Sequence, residues 1–120
     1  MVVLDTSITI DFLYGDKEAY SSLDNFSSED IFLTPFTIFE LLKNKNRENM
    51  EGFIDSINTL IFDSKSAKIS SKIYKDLKNK GIMINIVDIF IASICISHND
   101  RLITKDKDFS RIDGLKYTLI

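Results

Sequence analysis

The sequence predicts an α/β domain in which helices cover both faces of a mainly parallel sheet of four to five strands, and three observations carry that prediction. Short apolar runs recur at 2–4, 31–33, 60–62, 102–103 and 117–120. Longer stretches with helical spacing of apolar residues lie between most of them, and such alternation is satisfied by right-handed strand–helix–strand crossovers. The length of 120 residues suits one hydrophobic core, so residues 1–120 read as a single domain.

The first run, Val2, Val3 and Leu4, reaches Asp5 too soon to be a secretory signal or a membrane span, and a cytoplasmic protein is expected. After the second run, Thr34 can cap a helix whose first position is Pro35. The third run leads into a helix over 63–80. Its Lys65, Lys68, Lys72 and Lys75 share one side, while Ile69, Ile73 and Leu77 share the adjacent one. The lysines read first as a solvated face over a core stripe, and second as a phosphate-steering surface together with Lys43, Lys45 and Arg47. Asn85 can cap a helix over 86–97, and the last two apolar runs close the sheet. The glycines Gly15, Gly52, Gly81 and Gly114 fit turns and helix ends and form no phosphate-cradling loop, which leaves a nucleotide-binding domain without support.

Composition narrows the chemistry further. Cys95 and His98 are the sole residues of their types, so a disulfide framework and a Cys/His zinc site are excluded within one chain. A net charge of −3 suits poorly a protein that grips nucleic acid through phosphate contacts alone. Divalent ions held by clustered carboxylates would reverse the sign that a phosphate meets.

Four acids interrupt apolar sequence at element ends or helix starts: Asp5 in VVLDTS, Glu40 in FTIFELL, Asp88 in NIVDIFIAS and Asp106 in LITKDKDF. Each aspartate has a plain structural explanation, as a turn starter, a helix N-terminal acid or a cap. Glu40 lacks one, because it shares a helix face with Phe36 and lies beside Phe39. Asp55 and Asp63 read as structural, and Asp11 stays open. In an open parallel sheet the strand ends gather at one edge, where ligands bind at the reversal of strand order. Asp5 and Asp106 would emerge there, and helices starting at that edge would bring Glu40 and Asp88 to them. Such an oxygen-rich set suits Mg²⁺ or Mn²⁺ and, with a metal-activated water, phosphodiester hydrolysis.

These residues resemble the PIN-domain family, and within it the VapC-type toxin ribonucleases of VapBC toxin–antitoxin modules. The resemblance spans nearly the whole chain and rests on VVLDTS, Glu40 inside a helix, DIFIAS opening a helix, and TKDKDF after an apolar strand. It implies a three-layer α/β/α fold, an acidic triad of Asp5, Glu40 and Asp88, and Asp106 as the fourth acid, where relatives often have Asn. Ser7 and Thr104 match positions that hydrogen-bond the carboxylates or metal waters, and Asp108 lies in the closing motif. The resemblance further implies Mg²⁺- or Mn²⁺-dependent cleavage of RNA, a homodimer, and a cognate antitoxin whose basic tail fills the acidic pocket. Ser93 departs from the family, standing where Ala is usual.

The rival readings fit less well. A haloacid-dehalogenase phosphatase needs a second acid two residues after the first, where Ser7 stands, and a response-regulator receiver needs a lysine that 117–120 leaves no room for. A PIN-type RNA-processing nuclease outside a toxin module, or a silent PIN-like scaffold, remains as the alternative. Loss of a pocket acid would mark the scaffold, and none is missing.

Overall fold

The computed structural model describes residues 1–43 and 50–120. Five strands, β1 (Val2–Leu4), β2 (Ile31–Leu33), β3 (Asn58–Thr59), β4 (Arg101–Thr104) and β5 (Tyr117–Leu119), form one sheet in the order β3-β2-β1-β4-β5. Every neighbouring pair is parallel. The helices are α1 (Thr6–Leu13), α2 (Lys17–Leu23), α3 (Pro35–Leu42), α4 (Met50–Ser56), α5 (Ser64–Asn79) and α6 (Ile86–His98), with a 3₁₀ turn at Lys107–Arg111.

Alternation along the strands divides the core in two. Val3, Phe32 and Leu102 point to one face and pack with Ile73 and Leu77 of α5 and Ile89, Ile91, Ala92 and Cys95 of α6. Val2, Leu4, Ile31, Leu33 and Ile103 point to the other, against Ile8 of α1, Leu23 of α2, Leu41 of α3 and Met50 of α4. The result is the three-layer arrangement that the sequence predicts.

The chain starts in the middle of the sheet, winds outward through β2 and β3, then crosses back to build β4 and β5 on the other side of β1. The strand order therefore reverses between β1 and β4, which opens a crevice beyond their carboxyl ends.

Local signals place the helices around it. The Thr34 hydroxyl accepts the Thr37 N–H at 3.2 Å with Pro35 in the first turn, and Asn85 Oδ1 accepts the Val87 N–H at 2.9 Å. The end of α5 is fixed by Gly81, whose φ of 70° lets the Ile82 N–H reach back to the Leu77 carbonyl at 2.9 Å. The chain then turns to start α6, which runs antiparallel to α5. Between the two helices Ser93 does what Ala cannot: its hydroxyl donates to the Ile89 carbonyl at 2.7 Å and lies 2.8 Å from the buried hydroxyl of Ser70.

The third strand differs from expectation. The sequence pointed to 60–62, but the strand is Asn58–Thr59, two exposed polar residues at the sheet edge. Leu60 still donates its N–H to the Leu33 carbonyl at 2.9 Å, and there the pairing ends. Its neighbours are apolar for other reasons. Phe62 forms an aromatic triangle with Phe36 and Phe90, at centroid distances of 5.4 and 5.1 Å, and Ile61 is largely exposed.

Candidate active site

Asp5 follows β1 directly and is 7% exposed, the deepest carboxylate among the described residues. It serves two functions at once. Oδ1 accepts the Thr6 N–H at 2.9 Å, capping α1, and Oδ2 accepts the Thr104 hydroxyl at 2.7 Å. Thr104 ends β4 and is fully buried; its oxygen in turn accepts the Asp106 N–H at 3.0 Å. Asp106 then caps the 3₁₀ turn by accepting the Asp108 N–H at 2.9 Å. One chain of hydrogen bonds thus fixes the ends of β1 and β4 across the reversal point.

Asp88 approaches from the first turn of α6. Burial, followed by the charges of Asp5, Asp106, Glu40 and Asp108, pushes its carboxyl up to about 7. Among the described residues, no cation is one of the groups that set it. Asp5 is also raised, chiefly by burial and further by Asp106, although its bonds to Thr104 and Thr6 work against the rise. Acids from four separate elements therefore act on one another's surroundings, with Asp88 as the point where their charges meet.

The other sequence-nominated residues lie at varied positions. Ser7 is exposed in the first turn of α1 and makes no hydrogen bond to a described carboxylate. Lys43 caps α3 with its ammonium 6.0 Å from the Phe39 ring centroid, a turn beyond Glu40. Lys45 and Arg47 fall outside the described residues. Lys65, Lys68, Lys72 and Lys75 are all exposed on α5. Lys65 donates to the Ser97 carbonyl at 3.3 Å, about 13 Å further along α6 than Asp88 at the usual helical rise, so the stripe begins at the opposite edge of the sheet. His98 lies near there too, its Nδ1 3.0 Å from the Ile94 carbonyl oxygen, and Cys95 is fully buried with its thiol pushed upward by that burial.

A PIN-domain model matches residues 2–115. The chain belongs to the PIN-domain family. Among curated proteins it is 37% identical over 92 residues to Ribonuclease VapC3 of Methanocaldococcus jannaschii, covering 77% of this chain and 95% of that protein. It is 30% identical over 129 residues to Ribonuclease VapC of Rickettsia bellii, covering 96% and 92%. In three dimensions this PIN domain superposes on a chain of VapBC2 from Rickettsia felis, crystallised with a promoter DNA fragment, with a TM-score of 0.87 at 24% identity, covering 100% of this chain and 99% of that one. The corresponding values for FitAcB from Neisseria gonorrhoeae are 0.82 and 26%, covering 98% and 96%.

The donor chemistry of the pocket fits a hard divalent cation. Its groups are carboxylates, and the charges of Asp5, Asp106, Glu40 and Asp108 add to burial in raising the proton affinity of Asp88, so positive charge placed beside it removes an existing penalty. Beside Asp5, Thr6 Oγ1 is buried with no hydrogen-bond partner among the described residues, a polar atom available to an ordered water. Among the described residues, no three His, Cys, Asp and Glu side chains are grouped closely enough to hold a metal ion as they stand. Nothing in the sequence singled out Thr6, because a threonine inside VVLDTS is equally at home as an ordinary first helical residue.

Proposed function

We propose that this PIN domain is a metal-dependent endoribonuclease, the toxin of a type II toxin–antitoxin module. The observation that carries the reading is the convergence of Asp5, Glu40, Asp88 and Asp106, with Asp108, at the reversal of strand order, where burial and then the charges of the other acids raise the Asp88 carboxyl to about 7. The curated relatives named as VapC ribonucleases and the solved VapBC and FitAcB assemblies support it.

In this reading Asp5, Glu40, Asp88 and Asp106 hold Mg²⁺ or Mn²⁺. Such an ion supplies a water of lowered pKa and positive charge against the phosphate oxygens. The chain's own residues supply position. Thr104 holds Asp5 and the Asp106 backbone in fixed relation, and the start of α6 delivers Asp88, which would hold the ion as its carboxylate. Ser7 and Asp108 stand at the margin as partners for bound water.

The same negative concavity suits an antitoxin tail bearing Arg or Lys, which would occupy the carboxylates in place of the metal. A homodimer belongs to the reading as well. Tyr74, Met83 and Ile86 leave apolar surface exposed beside α5 and α6, Met83 at 94%, of the kind a second copy covers. No helix among the described residues is long and apolar enough to cross a membrane.

The test is cleavage of total cellular RNA with added Mg²⁺ or Mn²⁺. Cleavage that EDTA stops and excess metal restores is the expected result; no cleavage with either ion, from folded protein, overturns the reading.

A further inference from the structure

Lys105 stands in the chain between two members of the acid network, Thr104 and Asp106, yet its charge is turned away from them. Its ammonium lies 2.7 Å from Asp11 Oδ2 in the second turn of α1, and the other carboxylates it senses, Asp16 and Glu18, belong to the α1–α2 corner. Lys105 is not among the described groups that shift Asp88, which are acids. The pair is open to water, with side-chain exposures of 48% for Lys105 and 29% for Asp11. Exposed pairs of this kind are held weakly and are screened by salt, so the lysine can change partner.

A phosphodiester reaching the crevice meets the carboxylates grouped about Asp88 and needs positive charge at its flanking phosphates as well as at the scissile one. Among the nominated lysines, Lys65 is tied to the far end of α6 and Lys43 rests against Phe39. Lys105 is attached to the site's own backbone, and a compact ammonium on a flexible stem is suited to exchanging one anion for another.

We propose that Lys105 is a substrate-binding residue, held on Asp11 in the free protein and exchanging that carboxylate for an RNA phosphate adjoining the cleaved bond. The proposal rests on the ribonuclease reading. Asp11 sets how tightly the lysine is withheld, so the two residues act on substrate in opposite directions.

The experiment measures the rate of total-RNA cleavage against RNA concentration for the wild type, Lys105→Ala, Lys105→Arg and Asp11→Asn. Lys105→Ala should raise the half-saturating RNA concentration about tenfold with kcat nearly kept, and reduce the slope of log affinity against log salt by about one. Lys105→Arg should restore most of the loss, and Asp11→Asn should lower the half-saturating concentration several-fold. If the pair is only a strap holding the Asp106 segment against α1, Lys105→Ala and Asp11→Asn will impair the enzyme alike and through kcat, which overturns the proposal. Unchanged half-saturation in Lys105→Ala overturns it too, while leaving the ribonuclease reading intact. A wild type inactive on RNA overturns both.

Discussion

The starts of α5 and α6 place the same residue type in opposite circumstances. Asp63 caps α5, accepting the Ser66 N–H at 2.9 Å and the Ser66 hydroxyl at 3.0 Å, and these bonds in open solvent hold its carboxyl below the ordinary value. Asp88, in the first turn of α6, is half-buried, faces other carboxylates and is pushed up to about 7. Both acids follow apolar residues in the sequence. What separates a helix cap from a site acid is therefore what faces it across space.

The sharpest way to break this contrast is to remove each charge. Asp88→Asn, Asp5→Asn and Glu40→Gln should each lower RNA cleavage by at least about 100-fold while circular dichroism shows a folded protein, given the charge stabilisation ascribed to such ions. Asp63→Asn should keep near-wild-type cleavage and lose only some helix stability. An active Asp88→Asn enzyme would place the chemistry elsewhere. His98→Ala and Cys95→Ala belong with Asp63→Asn on the silent side, and loss of cleavage in folded His98→Ala protein would call for a general base in place of a metal-bound water.

Thr104→Val tests the network that makes the Asp5 environment special. It strands Asp5 Oδ2 and the Asp106 N–H together, so a stability loss of about 1–3 kcal/mol and a roughly tenfold fall in cleavage are expected by denaturant titration and kinetics. Wild-type values for both would mean that the hydrogen-bonded chain is incidental.

Stability against pH separates the two aspartates most directly. A carboxyl raised in the folded state binds protons more tightly there than in the unfolded chain. Metal-free protein should therefore lose the Asp88 contribution as pH rises from about 4 to about 7, with the full penalty above that. After allowance for solvent screening this is about 1–2 kcal/mol, and Asp88→Asn should flatten it. Asp63 has the opposite sign: its contribution is present above the unfolded value and is lost as pH falls through the lowered one. Adding Mn²⁺ should erase the Asp88 slope alone.

An antitoxin tail supplies the smallest of these shifts. If its cations compete for the same carboxylates, its apparent inhibition constant should rise as Mn²⁺ is titrated. Indifference to metal across a hundredfold range, on the order needed to saturate a carboxylate site, would place the contact elsewhere.

Much of this arrangement was legible because several signals were local. Thr34 with Pro35, and Asn85, announce their helices through capping chemistry that needs no tertiary partner. Asp106 is the cap its plain reading makes it, Asp5 caps a helix where a turn was expected, and both also face the pocket. Structural and functional explanations were never exclusive there. The third strand was misplaced because an edge strand of Asn58 and Thr59 has no apolar face to advertise, whereas Phe62 is apolar on account of its aromatic neighbours. The Lys105–Asp11 pair joins residues 94 positions apart, and no spacing rule connects them.

The buried hydroxyls of Ser70 and Ser93 have a consequence in time as well as in space. A polar contact sealed between α5 and α6 cannot be opened by sliding one helix alone without stranding an oxygen from water. The two helices are thereby joined into one cooperative unit, whose inner amides should exchange with solvent together and slowly. Asp88 belongs to that unit, while Asp5 and Thr104 belong to the sheet. The pocket thus lies where that unit meets the sheet, and a cation bound across it would add a further tie between the two.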